Sequence, residues 1–190
     1  MARNPNTTWE MLNEAMSHFQ SYIQSKQDRC SLSFVDLLHV SNFKGGNASI
    51  TEPISSLPAK LKTYEQKLKD IDAQFGSKKL KNLNEEETKN LILLCNDFST
   101  LATNKETKIR GFGPSYGSAL LAAHFMELIP VLDRRILNGA GIKVEYDSQK
   151  QVKNISKHFG ELIIACQKEL ESRHSLSLRE LDKEWFVKSL

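Results

Sequence analysis

The sequence predicts an all-α protein, a compact helical bundle of two lobes within a single domain spanning residues 1–190. Three observations lead to that class. Apolar residues recur at three- and four-residue steps through most of the chain, which is the stripe an amphipathic helix turns toward a core. The clearest of these stretches opens on a capping residue followed by acidic side chains. No segment shows the period-two alternation of a half-buried strand, and no internal repeat is present.

Between Thr7 and about Lys26 the stripe is Trp9, Leu12, Met16, Phe19, Tyr22 and Ile23, with Thr7 or Thr8 as cap and Glu10 in the first turn. SLSFVDLLHV reads as a buried helix, followed by a break at SNFKGGNASI where Gly45 and Gly46 end it. Pro53 and Pro58 punctuate the chain before KLKTYEQKLKDIDAQF, a helix with Leu61, Tyr64, Leu68, Ile71 and Phe75 on one face. GSKKLKNLN is a basic polar connector. Asn84 then caps a helix with three glutamates in its first turn, ending near Ala102 to Asn104. A helical tail is expected from Ser148 to about Glu171 and again from Leu178 to Val187.

The composition, 39% apolar and 26% charged, suits a soluble globular chain large enough to bury a core and excludes disorder throughout. Cys30, Cys95 and Cys166 are odd in number and far apart, so neither a disulfide framework nor a metal site is indicated. The opening residues do not resemble a signal peptide, and no apolar run approaches the roughly 18 residues of a membrane span. A cytoplasmic monomer without a membrane partner is expected. Net charge is only +3, but all of it lies in residues 101–190, because residues 1–100 balance 12 basic against 12 acidic side chains.

Five of the nine glycines fall between Lys108 and Ile142, at 111, 113, 117, 139 and 141. Gly111-Phe112-Gly113 lies between a short polar helical piece and an apolar helix that opens on Pro114, a residue suited to the first helical position. A tight glycine turn feeding a helix N-terminus directs free N–H groups outward, a concavity that binds a phosphate anion.

This segment, over about residues 105–140, resembles the helix-hairpin-helix motif and following aspartate of the helix-hairpin-helix DNA glycosylases. Its marks are Ile109, Gly111, Gly113, the small run Gly117-Ser118-Ala119, and Asp133 after Pro130-Val131-Leu132, twenty residues beyond Gly113. The resemblance implies a compact all-α fold, DNA as the partner and Asp133 as the catalytic carboxylate. Cleavage of a base from deoxyribose passes through an oxocarbenium-like sugar, which a carboxylate near C1′ stabilises while it activates water. The structural alternative is that Asp133 simply caps the short helix DRRILNG, a geometry that would also hold the carboxylate in place.

The chain departs from the family where the Schiff-base-forming members carry a lysine, two residues after the second hairpin glycine; here that position is Ser115. A monofunctional enzyme using water follows. Lys44 and Lys108 are the lysines able to substitute in space, although the ordinary expectation for each is a solvated surface charge. The iron–sulfur branch's four cysteines are absent. No cofactor is required, and the resemblance leaves room for a monovalent cation at the hairpin.

Phosphate contacts are expected from the amides of Gly111, Gly113 and Ser115, helped by Lys108, Arg110, Arg134 and Arg135. A flipped base needs aromatic faces and polar edges. Asn42, Phe43, Lys44 and Asn47 at the break are candidates for wedge or pocket roles, as are Tyr116, His124 and Trp185; an exposed turn and ordinary core packing are the respective alternatives. The leading reading is a glycosylase acting on a damaged base in repair, or on an enzymatically modified base in defence against phage DNA. Its rivals are a non-catalytic helix-hairpin-helix DNA-binding module and a purely structural helical domain.

Overall fold

A computed structural model describes residues 9–46 and 49–189. Its elements in chain order are α1 (Trp9–Ser25), α2 (Phe34–Phe43), α3 (Leu57–Phe75), α4 (Glu85–Leu101), α5 (Pro114–His124), α6 (Arg134–Gly139), α7 (Phe159–Ser172) and α8 (Leu178–Lys188). Short 3₁₀ turns precede α4 at Leu80–Asn82 and α7 at Ile155–His158. Two isolated bridges, Ile109 with Phe112 and Tyr146 with Val152, are the only β pairing among the described residues, so the all-α expectation holds there. No helix among them is long and apolar enough to cross a membrane.

Local chemistry sets the helix starts. Asn84 accepts from the amide of Glu87 while the Glu87 carboxylate accepts from the amide of Asn84. The same reciprocal cap joins Ser33 to Asp36 and Ser177 to Glu180. The cap expected at Thr7 or Thr8 lies outside the described residues.

One continuous apolar cluster joins all eight helices, so the two lobes expected from sequence share a core. At its centre runs α5, in which every residue from Gly117 to His124 is buried. A helix covered on all sides must be small or apolar around its whole circumference, and GSALLAA meets that condition. Gly139 serves another close approach: a Cβ there would lie 2.1 Å from the backbone oxygen of Trp185, so α8 rests directly on α6.

Several boundaries differ from expectation. Helix α2 continues through Ser41, Asn42 and Phe43, and the break begins at Lys44. It is buried on one face only, with Phe34, Val35 and Leu38 exposed. Pro58 sits in the first turn of α3 rather than before it. The basic connector before α4 carries Leu80 and Leu83 into the core.

The short polar helical piece expected before Gly111 is absent, and residues 102–107 form successive turns instead. Residues 148–154 are not helical either. The Asp147 carboxylate accepts from the amides of Gln149 and Gln151, and Lys150 and Asn154 adopt left-handed backbone, a local pattern that displaces the helical ladder.

Candidate active site

Asp133 stands where the chain leaves the core after α5 and turns into α6. The turn is pinned from inside: buried Ser118 on α5 accepts from the amide of Leu132 at 2.9 Å through its hydroxyl. From α8, buried Asp182 accepts from the amide of Val131. Asp133 itself is the N-cap of α6, its Oδ1 accepting from the amide of Arg135 at 2.9 Å. The capping role and a directed carboxylate therefore coexist in one geometry.

Its other oxygen, Oδ2, is 2.5 Å from Nζ of Lys44. Lys44 caps the C-terminus of α2, donating its amide to the Val40 carbonyl. Its side chain is only 7% exposed, against 17% for Asp133. The surface lysine expected from sequence is thus a buried one, carried inward because α2 ends against the Asp133 turn. Beneath the pair, Arg179 of α8 borders the same small void. Its guanidinium lies 4.1 Å from the Trp9 ring centre and 5.4 Å from that of Phe43. Burial pushes the Asp182 carboxyl up to about 7, against the pull of Arg179 at 3.6 Å, and the Asp133 charge acts in the same direction as burial.

Above Asp133 and Lys44 opens a groove of about 770 Å³. One lip is Gly113 to Tyr116 at the start of α5; the other is the turn Gln149-Lys150-Gln151. Arg134 and Arg135 complete the rim. Arg134 donates to the Lys150 carbonyl at 2.7 Å and so ties the second lip to α6, while Arg135 lies over the Phe186 ring at 4.8 Å. Helix α5 begins at Gly113 without a side-chain cap, and the amides of Gly113 and Ser115 meet no acceptor among the described residues.

The two hairpin glycines differ. Gly111 has φ +86, and a Cβ there would fall 2.0 Å from the Ser49 backbone oxygen, so the fold itself requires glycine. Gly113 has ordinary extended backbone, and nothing lies within 4 Å of where its Cβ would be. The fold leaves that space open, and it faces the groove.

The hairpin is anchored by Glu52, whose carboxylate accepts from Lys60 Nζ and Ser56 Oγ, each at 2.7 Å, and from the amide of Arg110 at 3.0 Å. These donors, Lys60 first, hold its carboxyl down at about 2. A carboxyl depressed in the folded state contributes stability above its unfolded value that disappears as pH falls through the folded one. Thermal unfolding between pH 5 and 2 is accordingly expected to show a loss of midpoint that Glu52→Gln removes in part, at the cost of a lower midpoint at neutral pH.

Lys60 also donates to the Lys108 carbonyl at 2.6 Å, and the Arg110 carbonyl accepts from the amide of Thr51. An ammonium thus sits against the Lys108 carbonyl, and a backbone amide against that of Arg110.

The remaining sequence candidates are dispersed. Tyr116 is half-buried on the groove, with its ring 6.1 Å from that of Phe112. Lys108 and Arg110 are exposed beside the hairpin. Asn42 is exposed and lines a separate shallow depression with Met11 and His18. Phe43 and Trp185 are core residues. Asn47 lies outside the described residues.

His124 is buried, its ring nitrogens 2.9 and 3.0 Å from the carbonyls of Leu120 and Arg29, and burial drives its pKa down to about 4 against the pull of both carbonyls. All three cysteines are free and buried. The groove residues that sequence reasoning missed include Gln149, Lys150 and Gln151, with Val152 and Ile155 beside them; the available signal was Asp147, whose side chain favours a turn over a helix.

Comparison of the chain with family models, with curated proteins and with solved structures finds no match.

Proposed function

We propose that this protein is a DNA glycosylase that hydrolyses the N-glycosidic bond of a flipped damaged or enzymatically modified base, with Asp133 as the catalytic carboxylate. The observation that carries the reading is the placement of Asp133: a carboxylate held at two points, on the floor of an open groove with cationic side chains on its rim. A carboxylate fixed in this way stabilises an oxocarbenium-like sugar and takes the proton of the attacking water without having to reorganise. The open space at Gly113 and the amides at the start of α5 suit the approach of a backbone phosphate, with Arg134, Arg135 and Lys150 adding charge. Tyr116, Gln149 and Gln151 offer the ring face and amide edges that a flipped base needs. Work on a damaged base would serve repair, and work on an enzymatically modified base would serve defence against phage DNA.

The test is a panel of duplexes, each carrying one modified base, followed by heat and alkali to reveal abasic sites. Release of one base class, with binding that weakens steeply as salt rises, is the expected result. Salt-sensitive binding with no base released from any duplex would move the protein to the non-catalytic DNA-binding reading.

A further inference from the structure

We infer that Asp182 on α8 is a positioning residue for Asp133: it holds the turn that carries that carboxylate and, by gaining or losing its own proton, sets how strong a base the carboxylate is. The inference rests on the glycosylase reading only where it calls Asp133 catalytic. The coupling between the two carboxyls is read without any substrate.

Asp182 lies beneath the site rather than in the groove. It is buried, and it accepts from the amide of Val131, two residues before Asp133. Its Oδ1 has no hydrogen-bond partner among the described residues. Arg179, one turn earlier on α8, stands 3.6 Å away, an ion-pair distance rather than a hydrogen bond. Arg179 in turn donates to Asn13 Oδ1 of α1 at 3.0 Å and borders, with Lys44 and Asp133, the same small void. Trp9, Phe43 and Phe186 line that void as well, so the charges around it are weakly screened.

A turn that needed only an acceptor would be served by a neutral side chain, as Ser118 serves it from α5. A buried carboxylate with one oxygen unsatisfied costs stability, and perturbed groups of this kind gather at functional sites. Among the described residues the charged and titratable groups around Asp182 are Arg179 on its own helix, Asp133 at the head of α6, Lys44 at the end of α2 and the Cys166 thiol of α7. Burial pushes that thiol up, so it stays neutral. With Asp182 ionised, two cations and two carboxylates cancel. With Asp182 protonated, one positive charge is left over, which weakens Asp133 as a proton acceptor. The Asp182 carboxyl, raised to about 7 chiefly by burial, changes state in the neutral range. Asp133 therefore gains basicity as pH rises through that range.

Two amides report the two carboxyls, Val131 for Asp182 and Arg135 for Asp133, so amide NMR of the whole chain between about pH 5 and 9 is the test. The expected result is a step in the Val131 amide shift near neutral pH and a smaller step with the same midpoint in that of Arg135. Asp182→Asn keeps an acceptor for Val131 and is expected to abolish both steps. Arg179→Met removes the cation that holds the carboxyl down and is expected to move the shared midpoint upward. On a duplex from which base is released, kcat is expected to rise up to about tenfold across the same step with KM little changed, the factor given by one pKa unit of coupling, and Asp182→Asn to lose the rise.

A Val131 amide with no step in that range, or an Arg135 amide that does not share it, overturns the inference whether or not base is released. Should Asp182→Asn misfold, the wild-type titration and Arg179→Met decide. A shared step without base release in the panel would sink the glycosylase reading and leave the coupling standing; base release with no shared step would do the reverse.

Discussion

Asp133→Asn is expected to lower base release by about 10²- to 10⁴-fold, the range spanned by loss of a positioned acid–base group, while leaving a folded protein. Asparagine is as good an N-cap as aspartate, so its side-chain oxygen can still accept from the amide of Arg135 and α6 keeps its start. The volume is unchanged, and the turn remains held by Ser118 and Asp182. What is lost is the negative charge at the groove floor.

That loss also takes the carboxylate from Lys44, and breaking a part-buried pair carries a stability cost. The double variant Asp133→Asn with Lys44→Met separates the two effects: it is expected to recover thermal midpoint and to recover no base release. Single-turnover base release on the preferred duplex, with the midpoint measured alongside, reads both quantities. Wild-type rates in Asp133→Asn would end the catalytic assignment and leave Asp133 as a cap alone.

The second large effect is a contrast between two glycines two residues apart. Gly111→Ala is expected to cost about 3–5 kcal/mol, the size associated with combined backbone strain and overpacking. Alanine there would have to hold φ +86 with its methyl 2.0 Å from a backbone oxygen, so the chain at Ser49 and Ile50 must move away from the hairpin. Gly113→Ala meets neither obstacle and is expected to change stability by no more than about 1 kcal/mol, the scale of an altered N-cap. Its effect should appear in DNA affinity, because the methyl occupies the open space where a phosphate oxygen would approach the start of α5.

Urea unfolding and duplex binding, measured on both variants, distinguish the roles. A Gly113→Ala protein with normal stability and undiminished affinity would remove Gly113 from the proposed DNA contacts. Near-normal stability in Gly111→Ala would contradict the contact with residues 49 and 50.

Much of the helix order was legible because it is written in nearest-neighbour chemistry. The Asn84 cap and the apolar stripes of α1 and α3 depend on residues three or four apart, and such spacing survives in the sequence. Residues 148–154 were misread because Val152 and Ile155 fit a helical stripe, while the competing Asp147 turn acts through backbone amides that leave no periodic mark. The same limit hid Gln149 to Gln151 as a lip of the groove. Trp185 was offered for the pocket on residue type alone, yet α8 spends that side chain on the core, where Gly139 lets the two helices meet.

The glycine cluster, the Pro114 helix start and the spacing to Asp133 can be stated from sequence alone, since each is a property of consecutive residues. Which glycine serves the fold and which leaves room for a ligand cannot, because that turns on Ser49, a residue more than sixty positions away. Nor does any local pattern join Lys44 to Asp133 across 89 positions. That pairing exists because α2 ends where the α5–α6 turn packs, and burial at their junction sets an ordinary lysine against the carboxylate. Sequence thus determined most of the helices and the placing of Asp133 after the glycine turn and its helix, and the tertiary structure decided which side chains share the groove, since contact between distant segments is set by packing rather than by spacing.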